Sequence, residues 1–511
     1  MKPWKARLKD PAYFLAIAVT AFLAVYLTMP QHEFKYNPDV GNSPYGMAIA
    51  KTYQNMPENT GNWARGYVLN GELTIYANWP PMAFKLLAEW FEFTGRDDIY
   101  TARIWYALLY AINALLFYAL LKGLKVNTAI AFIASISFIF LPSHLDFGAL
   151  IYVDQWLITF WLLAWIAYFQ DKVLSKILFY IIVLSGFLFF HWFIIFLLPI
   201  PFLLFLLKRY RPGIGRLTLI LVAVMVIVWA VQYSLFSLYK DSYFFQKFRV
   251  YSIFGLASVP GSYPVALLKR IVSLGYEAAV LVPLFLLAGF FSVRHKHFIK
   301  WPQLYSLLSG NLLALISYTI CFVHWFGYHR HGLGMFSILI GGAVALGLSY
   351  LKSRSLPRFR YACVLVILVP LSLFMALPAI TKVADEVEQQ DEQIANFINA
   401  NRTSQDLKAC LFFDQPGIAG THIVRFDLSE FALREYTNAY TFNLYEMEKQ
   451  VSITEDLKHG IAKLKKNGFV DFDPSLVFMV SKKHYEFDET VITGLNSIGK
   501  FNIYHLDLTD F

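Results

Sequence analysis

Residues 76–109 read YANWPPMAFKLLAEWFEFTGRDDIYTARIWYALL, and the fold turns on how this stretch is parsed. Pro80 and Pro81 stand ahead of MAFKLLAEWFEF, whose apolar residues recur at helical spacing, with Lys85, Glu89 and Glu92 on the other side. Proline is tolerated in a first helical turn, where its missing N–H has no partner to lose. The segment reads as an amphipathic helix lying on a membrane surface. Gly95 punctuates it, and Arg103 then opens an uncharged run of spanning length.

Runs of that kind recur along the 511 residues, which are 57% hydrophobic, 18% aromatic and only 15% charged. This composition belongs to a multi-spanning membrane protein and excludes a soluble globular chain. Residues 381–511 hold 21 of the 35 acids but 13 of the 44 bases, so the net charge of +9 arises in the membrane portion and its loops. The positive-inside rule accounts for that excess, and no nucleic-acid partner is implied. Cys321, Cys363 and Cys410 lie far apart without metal spacing, so no disulfide framework is expected. MKPWKARLKD followed by AYFLAIAVTAFLAVYLTMP lacks a small-residue cleavage site and reads as an uncleaved signal anchor.

Apolar runs and basic clusters together predict topology. Lys2, Lys5, Arg7 and Lys9 hold the N-terminus in the cytoplasm, and spans follow near 12–29, 103–121, 127–142 and 155–169. The run 177–207 would be about 46 Å long as one helix, against a hydrocarbon core of about 30 Å. It is therefore split near His191 into a hairpin. Further spans near 217–236, 276–293, 302–323, 332–351 and 361–380 bring the count to about eleven transmembrane helices. KRYRPGIGR, RHKHFIK and LKSRSLPRFR then all fall inside.

The chain divides into a transmembrane domain, 1–380, with a large first extracytoplasmic loop at 30–102, and an extracytoplasmic α/β domain, 381–511. In the latter, DEVEQQDEQIANFINANR and TEDLKHGIAKLKKNG read as helices, while KACLFFD, SLVFMVSK and KFNIYHLDL read as strands. In the first loop, PYGMAIAKTYQNM also has helical spacing.

The order of these parts resembles the GT-C superfamily of membrane glycosyltransferases, in particular the dolichyl-phosphate-mannose–protein mannosyltransferase-like branch. Pro80, Pro81, Gly95 and Arg103 match that pattern in order and approximate spacing. The resemblance implies a GT-C type polytopic α-helical membrane protein with a C-terminal extracytoplasmic α/β domain. It also implies inverting transfer of a sugar from a polyprenyl-phosphate donor to a lipid, glycan or protein acceptor at the outer membrane face. Such transfer needs a carboxylate to deprotonate the acceptor and cationic or hydrogen-bonding groups on the departing phosphate.

On this resemblance Asp39, the only acid between Glu33 and Lys51, is the candidate base, although relatives carry Asp-Glu where this chain has GNSPYG. Its plain alternative is a turn residue after Pro38. Asp154, at the outside mouth of span four, is the second catalytic candidate, with Asp146 behind it and an N-cap as the alternative. Arg330 and His331 in YHRHG, with His329 beside them, suit the donor phosphate, or else form an interfacial anchor. Lys240, Lys247 and Arg249, interleaved with aromatics, suit the lipid phosphate or simply snorkel. Asn78, Pro80 and Pro81 form the turn that aims the interfacial helix at the site. His324, His329 and His331 lack a carboxylate partner or an i, i+4 pair, so no motif supports a divalent metal or another cofactor. Two alternatives stand beside the enzyme: a flippase or transporter of lipid-linked sugars, and a non-catalytic GT-C-like scaffold.

Overall fold

The computed structural model describes residues 11–28, 39–55, 65–75, 80–210, 302–321, 331–353, 386–401, 407–414 and 437–509, apart from a few positions within these stretches. The helices are α1 (Pro11–Thr28), α2 (Asp39–Asn55), α3 (Met82–Thr94), α4 (Ile99–Gly123), α5 (Thr128–Ile139), α6 (Asp154–Tyr168) and α7 (Val173–Phe189). After a 3₁₀ segment at Trp192–Leu197 come α8 (Ile200–Tyr210), α9 (Pro302–Cys321), α10 (His331–Ser353), α11 (Glu386–Ala400) and α12 (Ile453–Lys466). The strands are β1 (Arg65–Leu69), β2 (Glu72–Ile75), β3 (Lys408–Asp414), β4 (Ala439–Asn443), β5 (Phe472–Ser481), β6 (Ile492–Ile498) and β7 (Phe501–Leu506).

The chain forms two compact units. One comprises Met1–Met29, Ala77–Ala83 and Arg103–Thr381; the other comprises Pro30–Tyr76, Phe84–Ala102 and Lys382–Phe511.

The first unit is helical, and its helices are apolar on every side. On α1, Ile17, Ala21 and Val25 are fully buried, while Leu15 and Leu27 are 65% and 72% exposed. Val173 and Leu174 on α7 and Phe202 on α8 are likewise exposed. A helix with apolar residues on both its packed and its outward face suits lipid rather than water. Among the described residues, Ile99–Gly123 is long and apolar enough to cross a membrane, with shorter apolar stretches at Pro11–Leu27, Thr128–Ile139, Val173–Phe189, Phe193–Phe205 and Ser337–Ser349.

The long run at 177–207 breaks where its length demands. The N–H groups of Phe190 and His191 both bond the Gly186 carbonyl, at 3.0 and 2.8 Å, which closes α7. The His191 ring then accepts the Phe193 N–H at 3.3 Å and starts the 3₁₀ segment. The spans expected at 302–323 and 332–351 correspond to α9 and α10. Those expected at 217–236, 276–293 and 361–380 lie outside the described residues.

The second unit is built on a seven-stranded mixed sheet of order β2-β1-β4-β3-β5-β7-β6. Strands β1, β4, β3 and β5 run parallel, and antiparallel pairs close both edges. Both faces of the centre are covered. Ala409, Leu411 and Phe413 pack with Ile394 and Ile398 of α11, and Cys410 and Phe412 pack with Leu457, Ile461 and Leu464 of α12. Double coverage explains why KACLFFD reads as an unbroken apolar run instead of alternating. Helix α12 opens on an N-cap, with the Ser452 side chain accepting the Glu455 N–H at 3.3 Å, and ends on Lys463, Lys465 and Lys466.

The two helices and three strands expected after residue 381 are all present. Strands β4 and β6 and the hairpin β1–β2 extend that expectation. The hairpin comes from the first loop and pairs with β4 through Leu69 and Thr441, reinforced by the Asn70 N–H bonding the Thr441 carbonyl at 3.1 Å.

Candidate active site

Chain geometry ahead of the site is set between α3 and α4. Gly95 adopts φ +65°, and the N–H groups of Gly95 and Arg96 bond back to the Glu92 and Phe91 carbonyls, each at 3.3 Å. This is the glycine-dependent way to stop a helix. Asp98 then accepts the Thr101 N–H at 2.8 Å, which caps α4, and is gripped by the Arg96 guanidinium at 2.8 Å. Burial raises the Asp98 carboxyl, but the Thr101 N–H and Arg96 outweigh that and hold it below the usual range. The Trp90 indole donates to the Thr101 carbonyl at 3.0 Å, pinning α3 to the same turn.

Arg103 follows on α4, fully buried. Placing a cation out of water is costly, and such groups in membrane helices mark function more often than stability. Helical spacing puts Tyr106, Tyr110, Asn113 and Phe117 along the face that Arg103 begins. Asn113 donates to the Gln155 side-chain and backbone oxygens at 2.9 and 3.0 Å, and it accepts from Thr159 at 2.7 Å. This satisfied network fixes α4 against α6 in the first unit.

Helix α6 is held on another side too. Trp161 and Trp165 lie one turn apart, and both indole N–H groups donate to Asn311 Oδ1 on α9, at 2.6 and 3.1 Å. Asn311 completes its own bonding through the Leu307 carbonyl at 2.9 Å. Gly310 lets the Trp165 ring approach: a Cβ there would clash with the ring. The helix carrying Asp154 is therefore rigidly placed.

Asp154 is the first residue of α6 and is buried. The N-cap is Val153, in right-handed helical conformation and without a side-chain cap bond, so Asp154 does not serve as the N-cap. Its carboxylate instead sits where the helix dipole favours negative charge. In the preceding loop, buried His144 stacks on Tyr110 at 4.3 Å, with Nδ1 3.0 Å from the Phe138 carbonyl. Because a carbonyl only accepts, Nδ1 carries the proton and Nε2 is left as an acceptor. Burial pushes the imidazole down to about 3, so it is neutral at physiological pH.

Pro80 and Pro81 immediately precede α3, and both are buried. Asp39 is the first residue of α2 rather than a turn residue. It belongs to the second unit and Asp154 to the first. His331 opens α10. Asn78, Asp146, Lys240, Lys247, Arg249, His324, His329 and Arg330 lie outside the described residues. Residue-level reading missed Tyr106, Asn113, Gln155 and His144. The visible signal was Asn113, an amide in the middle of an apolar run.

The helical unit, apolar on its packed and outward faces and carrying a buried carboxylate at a helix start, and the α/β unit together make up the fold. Three solved structures share it. The chain is similar to the Archaeoglobus fulgidus oligosaccharyltransferase in complex with zinc and sulfate, at 13% identity and TM-score 0.51, over 91% of this chain and 67% of that one. It is similar to ArnT from Cupriavidus metallidurans bound to undecaprenyl phosphate, at 13% identity and TM-score 0.53, over 98% of this chain and 99% of that one. It is also similar to ArnT in the apo state, at 13% identity and TM-score 0.53, over 98% of each chain. No protein-family model matches the sequence, and no curated protein matches it. At such identities the likeness carries the fold, and activity has to be argued from the site.

Proposed function

We propose that the chain is an inverting glycosyltransferase that moves a sugar from a polyprenyl-phosphate donor to an acceptor at the outer face of the membrane. The observation that carries this reading is the rigidly held, buried Asp154 in a fold that matches ArnT, solved with undecaprenyl phosphate, almost end to end. In the reaction, a carboxylate takes the acceptor proton as the acceptor oxygen or nitrogen attacks the anomeric carbon. The bond from that carbon to the phosphate oxygen breaks from the opposite side, and the electron pair leaves with the lipid phosphate. A single displacement of this kind inverts the anomeric centre.

Asp39, at the start of α2, is assigned the base, and Asp154 orients the reacting groups. Arg330, His331, Lys240 and Arg249 are assigned the lipid phosphate, whose charge grows as the bond breaks. Asn78, Pro80 and Pro81 aim α3. The reading places about eleven spans in the membrane, the N-terminus in the cytoplasm, and both the first loop and the C-terminal α/β domain outside.

The test is transfer by purified protein supplied with radiolabelled polyprenyl-phosphate sugars and a crude envelope acceptor fraction. Label appearing on the acceptor with an inverted linkage is the expected result. Label carried across reconstituted vesicles without transfer would identify a transporter. Neither outcome, with lipid still bound, would identify a scaffold.

A further inference from the structure

Among the described residues, the sheet of the second unit ends on β2 at one edge and on β6 at the other. An edge strand presents a row of unpaired backbone groups, and proteins blunt such edges with short strands, prolines or charged side chains. Strand β2 has four residues and begins on the charged Glu72. Strand β6 has seven, ITGLNSI, with no charged residue and no proline. Thr493, Leu495 and Ser497 are exposed along it, and Leu495 leaves 48% of its surface open.

The pairing of β6 shows which backbone groups point outward. It meets β7 across the Gly499–Lys500 turn, with Ile498 opposite Phe501 and Leu495 opposite Tyr504. Residues of an antiparallel strand bond the neighbouring strand in alternation. The Ser497 N–H donates to Asn496 Oδ1 at 2.9 Å rather than to β7, so it lies on the outer side. Leu495, two residues earlier, therefore also directs its N–H and C=O outward.

The order of side chains selects the partner. Around Leu495 the strand reads much alike in both directions, with uncharged Gly494 and Asn496 next to it and hydroxyl-bearing Thr493 and Ser497 beyond. Laid antiparallel on a second copy, Leu495 faces its own counterpart, Gly494 faces Asn496 and Thr493 faces Ser497. Apolar meets apolar, hydroxyl meets hydroxyl, and no like charges are opposed. A register shift between Ile492 and Gly494 bends the strand there and confines the match to residues 493–497.

We propose that β6 is a self-association edge, on which a second copy of this chain pairs antiparallel about a two-fold axis at Leu495 and joins the two sheets. The same patch serves both copies, as a two-fold interface requires. So short a match is far below the roughly 20–30 residues a side of a stable interface in solution. Association therefore relies on confining both copies to one membrane, which raises their effective concentration. The pairing is independent of whether the chain transfers sugar.

The experiment uses the full-length protein reconstituted in lipid vesicles, unaltered and as Leu495→Cys, Lys466→Cys and Leu495→Lys. Directly opposed residues of a bonded antiparallel pair have Cα atoms about 5.5 Å apart, within disulfide range. Mild oxidation should therefore link Leu495→Cys into a covalent dimer. Lys466→Cys, exposed at the end of α12, should stay at the level of the unaltered protein. Energy transfer between labelled copies should report an association that Leu495→Lys weakens about 10-fold, through lost apolar contact and two opposed charges. The thermal midpoint should not change, because the side chain is exposed.

No more cross-linking at Leu495→Cys than at Lys466→Cys would overturn the proposal. So would an association that Leu495→Lys leaves undiminished. Cross-linking of Leu495→Cys to a different protein in added envelope extract, with none between copies, would show that another chain takes this edge and would overturn it too.

Discussion

Between Gly95 and Asp98 the chain turns from one helix into the next, and each residue there has one definable task. Gly95 lies in the left-handed region with no atom near the position of a Cβ, so alanine would meet strain without a clash. Gly95→Ala should cost about 1–2 kcal/mol, the left-handed penalty for an L-residue, read as a lower thermal midpoint with donor affinity little changed. Asp98 supplies a pH signature. Its carboxyl is held down in the folded state, so the stability it adds is complete above its unfolded pKa, near 3.9. That contribution is lost as pH falls through the folded value. Asp98→Asn should therefore weaken the protein at neutral pH and flatten the acid limb of its stability profile. An unaltered acid limb would mean that Arg96 and Thr101 do not hold this carboxylate in solution.

At the scale of elements, the placement of α6 decides where Asp154 sits. Asn311→Ala would leave the Trp161 and Trp165 indole N–H groups without their acceptor in a dry interior. Each such loss costs about 1–3 kcal/mol, so the midpoint should fall markedly. Transfer should fall further than stability explains, because Asp154 rides on the same helix. Conserving the amide with Asn311→Gln should rescue part of both.

The elements also show what was legible beforehand. KACLFFD, SLVFMVSK and the α12 segment declared themselves through apolar runs and helical period. The β1–β2 hairpin did not, although RGYVLNGELTI carries Asn70-Gly71 between apolar stretches, a hairpin signal, and Asn70 indeed has φ +52°. It does not stand out because the strands are short and lie in a loop framed by helical patterns. Asp154 is a site candidate on the sequence, but the bonds of Asn113 to Gln155 and Thr159 that fix its helix against α4 are not legible there. They join residues far apart in the chain, which no local pattern encodes.

At the scale of the whole molecule, loop charge predicts one topology. A reporter fused after residue 380 should be outside the cytoplasm, and reporters after Arg211 and Lys300 should be inside. A cytoplasmic signal from the first fusion would remove the outside α/β domain from the account. Pairing of the hairpin β1–β2 with β4 makes the second unit one fold rather than a loop plus an appendage. Destabilising β4 should therefore expose the first loop to protease, not the C-terminal residues alone.

The proposed function assigns the base to Asp39 and an orienting role to Asp154. The direct measurement is single-turnover transfer from a bound polyprenyl-phosphate sugar by the unaltered protein, Asp39→Asn and Asp154→Asn, with lipid binding and thermal midpoint recorded for each. Both replacements are nearly isosteric. Asp39→Asn should bind donor normally and slow transfer by about 10²–10⁴-fold, the usual loss on removing a general base. Asp154→Asn should slow it by a smaller factor. Transfer at the parent rate by both variants, with donor still bound, would contradict the account.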